Sequence, residues 1–93
     1  MKTFIISYDL RKPDKNYEAL IKLIRAYGSW AKLGGSAYLI ITDSSVVQVR
    51  DNLATALDSN DQLFVGTCPV PSAWKGLPDE VAKWILENQP KNC

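Results

Sequence analysis

Ser36-Ala37-Tyr38-Leu39-Ile40-Ile41-Thr42 is the stretch on which the fold turns. Its alternate sets are Ala37/Leu39/Ile41 and Tyr38/Ile40/Thr42, and both are largely apolar. A strand with two apolar faces must be covered on both sides, so this segment reads as a strand buried on both faces. Just before it, Gly34-Gly35 fits a turn, and Ser29-Trp30-Ala31-Lys32 reads as a short strand leading into that turn.

Beyond this strand, Ser45 and Gln48 have the spacing of a capping box. Val46, Val49, Leu53 and Leu57 follow as the apolar stripe of a helix. Asp58-Ser59-Asn60-Asp61 is a turn cluster, and residues 62–68 read as a strand ended by Pro69 and Pro71. A last helix is expected over 78–89, with Pro78 at its start and Val81, Trp84, Ile85 and Asn88 on its apolar face. At the other end, Thr3 to Tyr8 is rich in β-branched and aromatic residues and reads as a strand. Pro13 stops it from continuing. Tyr17, Leu20, Ile21, Ile24 and Tyr27 then mark an amphipathic helix, with Asp14 as N-cap and Gly28 as its stop.

The resulting order, βαββαβ plus a helix, predicts a ferredoxin-like α+β sandwich over residues 1–93, with a core of 1–71 and a C-terminal helix at 78–89. Two helices cover one sheet face. The other face is apolar enough to need cover, and both the C-terminal helix and a second copy of the chain are expected to supply it. A core built from 93 residues is thin, so pairing into a homodimer would add stability.

The chain is 46% hydrophobic and 23% charged, an ordinary balance for a globular protein, and its net charge is +1. That charge lacks the overall basic excess of a dedicated nucleic-acid binder. The N-terminal third is locally basic, with Lys2, Arg11, Lys12, Lys15, Lys22 and Arg25 against Asp9, Asp14 and Glu18, which a solvated helix face also explains. There is no histidine and there are two cysteines, Cys68 and Cys93, which excludes a Cys/His zinc site and a histidine-based triad. The opening Met1-Lys2-Thr3-Phe4-Ile5-Ile6 runs straight into Tyr8-Asp9 without a cleavage pattern, and no apolar run approaches a membrane span. A cytoplasmic protein with no membrane partner is the expectation.

Tyr8-Asp9-Leu10, Tyr27-Gly28 and Ser36-Ala37-Tyr38-Leu39-Ile40 resemble, in order and spacing, the small CRISPR-associated adaptation endonuclease family. With Gly28-Ser29-Trp30 and Asp58-Ser59-Asn60-Asp61, the chain also resembles stand-alone SinR-like proteins of bacteria and phages. The resemblance covers about residues 1–68. It implies a ferredoxin-like fold, a two-fold dimer, and an aspartate after the first strand that faces its symmetry mate and binds a divalent metal. Asp9 is the residue that carries over. After it, Leu10-Arg11-Lys12-Pro13 stands in place of that family's cluster of acids and bases.

Asp9 is therefore the candidate ligand for Mg²⁺ or Mn²⁺, as a pair of carboxylates from two copies, and the candidate catalytic residue; capping the turn before Pro13 explains it as well as metal binding does and better than catalysis does. Tyr8 and Trp30 would stack bases if they lay on an open sheet face, and would otherwise be core. Arg11 and Lys12 would hold phosphate, and Ser36 a ligand or water. Gly34-Gly35 lacks the spacing of a phosphate-cradling loop. Three functions follow as expectations. One is a metal-dependent nuclease or nucleic-acid-binding relative. Another is a non-catalytic phage or bacterial module that sequesters a small signalling nucleotide or blocks a host defence protein. The third is a toxin-type ribonuclease on the same architecture.

Overall fold

The computed structural model describes residues 2–9, 18–67 and 73–88. The expected Asp14 N-cap, the stripe residue Tyr17, Cys68 with Pro69 and Pro71 after the last strand, and the Cys93 terminus lie outside them. Seven elements run along the chain: β1 (Lys2–Asp9), α1 (Glu18–Arg25), β2 (Trp30–Gly34), β3 (Ala37–Thr42), α2 (Val46–Ala54), β4 (Gln62–Thr67) and α3 (Asp79–Asn88). The four strands form one antiparallel sheet in the order β2-β3-β1-β4. This is an α+β arrangement compatible with the ferredoxin-like one. Among the described residues no helix is long and apolar enough to cross a membrane.

Strand alternation divides the apolar residues between two cores. Phe4, Ile6 and Tyr8 of β1 and Tyr38 and Ile40 of β3 meet Leu20 and Ile24 of α1 and Val49 and Leu53 of α2. Full burial of an aliphatic or aromatic side chain contributes about 1.5–3 kcal/mol. On the opposite face, Ala31 and Leu39 meet Val81 and Ile85 of α3, with Ile5, Leu33, Leu77 and Trp84 packed around them. β3 is thus apolar on both faces because each face has its own helices, as its composition requires.

Local chemistry sets the element ends. The Ser45 hydroxyl accepts the Gln48 N–H at 3.1 Å, and the Gln48 side chain accepts the Ser45 N–H at 2.8 Å, which closes the expected capping box on α2. Gly28 has φ +91°, a left-handed conformation that a Cβ disfavours, and it stops the turn after α1. The Pro78 carbonyl accepts the N–H groups of Val81 and Ala82, both at 3.0 Å, and starts α3. At the far end of that helix the Thr3 hydroxyl donates to the Asn88 carbonyl at 3.4 Å, tying α3 to β1. Arg50 and Asp51 are exposed on α2 and pair with each other at 2.8 Å, as surface charges should.

Candidate functional site

The site is built from the β1 register. Phe4, Ile6 and Tyr8 point to the α1/α2 side, so Thr3, Ile5, Ser7 and Asp9 point to the α3 side. Thr3 is buried and Ile5 half-buried there, but Ser7 and Asp9 are exposed. In the next strand Ser7 faces Phe64 and Asp9 faces Gln62. Phe64 is 64% exposed, and its ring lies over Gly66, where a Cβ would come within 2.8 Å of the ring edge. α3 therefore covers only part of its face. A strip made of Ser7, Asp9, Gln62 and Phe64 is left open at the end of the sheet where β1 finishes.

Asp9 is the last residue of β1 and presents its carboxylate on this strip. On the same face, the register places Ser7 two residues back along β1 and Gln62 opposite Asp9 across the ladder. Among the described residues no three His, Cys, Asp or Glu side chains gather into a metal-holding group. A cation at Asp9 would need further oxygens from a second copy or from water.

The other sequence candidates lie elsewhere. Tyr8 is not on an open face. It is 4% exposed in the α1/α2 core, and its hydroxyl donates to the Gly35 carbonyl at 3.5 Å. Alternation makes it share a face with Phe4 and Ile6, and that is the face the two helices take. Ser36 is exposed in the turn before β3, at the Asp9 end of the sheet, where its carbonyl accepts the Tyr8 N–H at 3.1 Å. Trp30 is half-buried on the helix side of β2, edge-on to Tyr38 with ring centroids 5.9 Å apart, and the Arg25 guanidinium sits 4.5 Å from its ring centre. Trp30 faces Ile40, which faces Phe4, so it is five residues along β1 from Asp9. At about 3.3 Å per residue that is roughly 17 Å along the strand, too far to share a ligand with the carboxylate. Arg11 and Lys12 lie outside the described residues.

Two features escaped the sequence reading. Phe64 is one; the only sign of it is that Gln62/Phe64/Gly66 is a mixed set in a strand whose other set, Leu63/Val65, is apolar. The second is a groove of about 290 Å³ at the outer edge of β2, lined by Trp30, Ala31, Lys32, Glu80, Val81 and Trp84. It exists because α3 docks beside β2, which no local pattern foretells. No protein-family model and no curated protein matches the chain.

Proposed function

We propose that the chain is a homodimeric, divalent-metal-binding relative of the CRISPR-associated adaptation endonucleases, with a ferredoxin-like fold, acting on nucleic-acid phosphodiesters at a site made by two Asp9 carboxylates. The observation that carries this reading is the open strip beside α3, where exposed Phe64 lies next to Ser7 and Asp9. An exposed phenylalanine on a sheet face loses apolar surface to water unless a partner covers it. A second copy laid on the same strip would shelter both rings and bring the carboxylates toward each other.

The donors fit such a group. Carboxylate, hydroxyl and amide oxygens are hard ligands, suited to Mg²⁺ or Mn²⁺ rather than to a soft ion. When bound, the cation would supply a polarised phosphate oxygen and an acidified water. The chain's own contributions are Asp9 holding the ion, Ser7 orienting a water or phosphate, and Arg11 and Lys12 holding phosphate by charge-assisted hydrogen bonds. Cleavage of single- and double-stranded DNA and RNA with Mn²⁺ is expected for the wild type and lost in Asp9→Ala. Equal cleavage by both would remove the reading.

A second reading has its own support: the near-neutral charge, and the lack among the described residues of three metal-ligating side chains in one place, suit a module that holds a small nucleotide, or a host defence protein, without chemistry. Calorimetric titration with a panel of cyclic nucleotides separates the two. Heat of binding without cleavage favours the module, and no heat with any of them counts against its nucleotide form.

A further inference from the structure

The outer edge of β2 is blunted against strand pairing. Lys32 stands exposed on it, and a register shift between Lys32 and Gly34 ends its regular stretch. What the edge gathers instead is positive charge around an indole. Trp30 and Lys32 alternate with Ala31, so both face the α1 side, while Ala31 faces α3. Lys22 and Arg25 lie three residues apart on α1 and are both exposed, so they share its outer face. The Arg25 guanidinium is held 4.5 Å from the centre of the Trp30 ring. Among the described residues none of Lys22, Arg25 and Lys32 meets a carboxylate, whereas Arg50 pairs with Asp51 and Lys83 with Glu87. Glu18, the acid on α1, stands at the far end of the helix, about 10 Å along the axis from Arg25. Across the edge, the groove of about 290 Å³ has an apolar wall of Val81 and Trp84, with Glu80 as its one acid.

We infer that this edge binds a single strand of nucleic acid, with phosphates on Lys22, Arg25 and Lys32 and one base in the groove against Trp84. Charge complementarity selects the occupant. Three cations without acidic partners lie on the α1 side of the edge, and an anionic backbone supplies the acceptors for their charge-assisted hydrogen bonds. The Arg25 guanidinium is already ordered on its indole, so less side-chain freedom is lost when phosphate arrives. Glu80 stands on the α3 side, where it repels phosphate and accepts from the N–H groups of a base edge. That asymmetry sets which end of a nucleotide lies on which side. An unpaired base presents a ring face to Trp84, whereas a duplex keeps its bases inside and meets only the cations. At about 290 Å³ the groove is at the small end of ligand pockets, with room for one base. The net charge of +1 does not oppose this, because the basic excess is local to the edge. As a second contact for the substrate strand, the site rests on the nucleic-acid reading; binding itself needs neither Asp9 nor metal.

The test is fluorescence anisotropy of labelled oligothymidylate and oligouridylate, about 12 nucleotides long, in EDTA and across about 50 to 200 mM salt. NMR follows the indole N–H signals of Trp30 and Trp84 in the same titration. The wild type is expected to bind, with both indole signals shifted. Its log affinity should fall against log salt with a slope of about −2, from three phosphate contacts at about −0.7 each. Replacing both exposed lysines, Lys22→Gln with Lys32→Gln, should weaken binding about tenfold or more and bring the slope to about −0.7. Lys32→Arg keeps the charge and should bind as the wild type does, and so should Asp9→Ala. An unchanged melting transition shows that each variant is folded. Absence of binding, or binding that the double lysine variant leaves unchanged, would overturn the inference. So would equal binding of heparin, a polyanion without bases, with the Trp84 signal unmoved. Binding in EDTA without cleavage in Mn²⁺ would support this site and remove the nuclease reading. Cleavage by a double lysine variant that also binds as the wild type does would leave the nuclease reading standing and overturn this site.

Discussion

Tyr38 is fully buried between the sheet and the α1/α2 layer, and its hydroxyl meets no hydrogen-bond partner among the described residues. A buried donor without a partner loses its water and gains nothing in return, at about 1–3 kcal/mol. Tyr38→Phe keeps the ring that Trp30 packs against and removes the hydroxyl. It should leave the urea midpoint unchanged or raise stability by about 1 kcal/mol; a clear loss would mean that the hydroxyl has a partner after all. Gly28 tests the opposite case. With φ +91° it sits where a Cβ is strained although nothing crowds it, so Gly28→Ala should lower stability by about 1 kcal/mol in the same measurement. Asp9 is exposed, and Asp9→Asn keeps the size and one oxygen of the side chain, so the substitution should change stability by less than about 0.5 kcal/mol in the same measurement.

At the scale of elements, α3 is the piece that decides what remains exposed. Val81 and Ile85 anchor it against Leu39 and Ala31, while Leu86 on its outer side is 64% exposed. Ile85→Ala should therefore lower stability by about 2–3 kcal/mol and Leu86→Ala by less than about 0.5 kcal/mol, as read by chemical denaturation. Equal effects would mean that the helix docks by another face. The elements were largely legible in the sequence because their signals are local. Ser45 and Gln48 close a capping box within one turn, Pro78 opens α3, and Gly28 supplies the one backbone conformation that ends α1. The faces were less legible. Alternation in β1 says that Phe4, Ile6 and Tyr8 share a side, but not that the helices take it. Tyr8 was therefore open to a reading as an exposed stacking residue, when it is core. Phe64 and the Trp30–Trp84 groove depend on where α3 lands, which is a tertiary choice.

For the molecule as a whole, one sheet face is closed by α1 and α2 and the other only in part by α3. The remaining strip holds Phe64 and Asp9 together, and the proposed homodimer rests on it. Light scattering at about 100 µM should find the wild type assembled and Phe64→Ser shifted toward smaller species, since the phenylalanine is the largest apolar group on the strip. An unchanged mass in Phe64→Ser would place the contact elsewhere. Because this pairing brings two Asp9 carboxylates toward each other, assembly without divalent metal should strengthen as added salt screens their repulsion, as read by the same scattering measurement.

The most direct test is to add Mn²⁺ to isotope-labelled protein and map the paramagnetic broadening of its amide signals. The account predicts broadening centred on Ser7, Asp9 and Gln62 in the wild type and its loss in Asp9→Asn. Broadening that persists unchanged in Asp9→Asn, or that centres away from the end of β1, would contradict it.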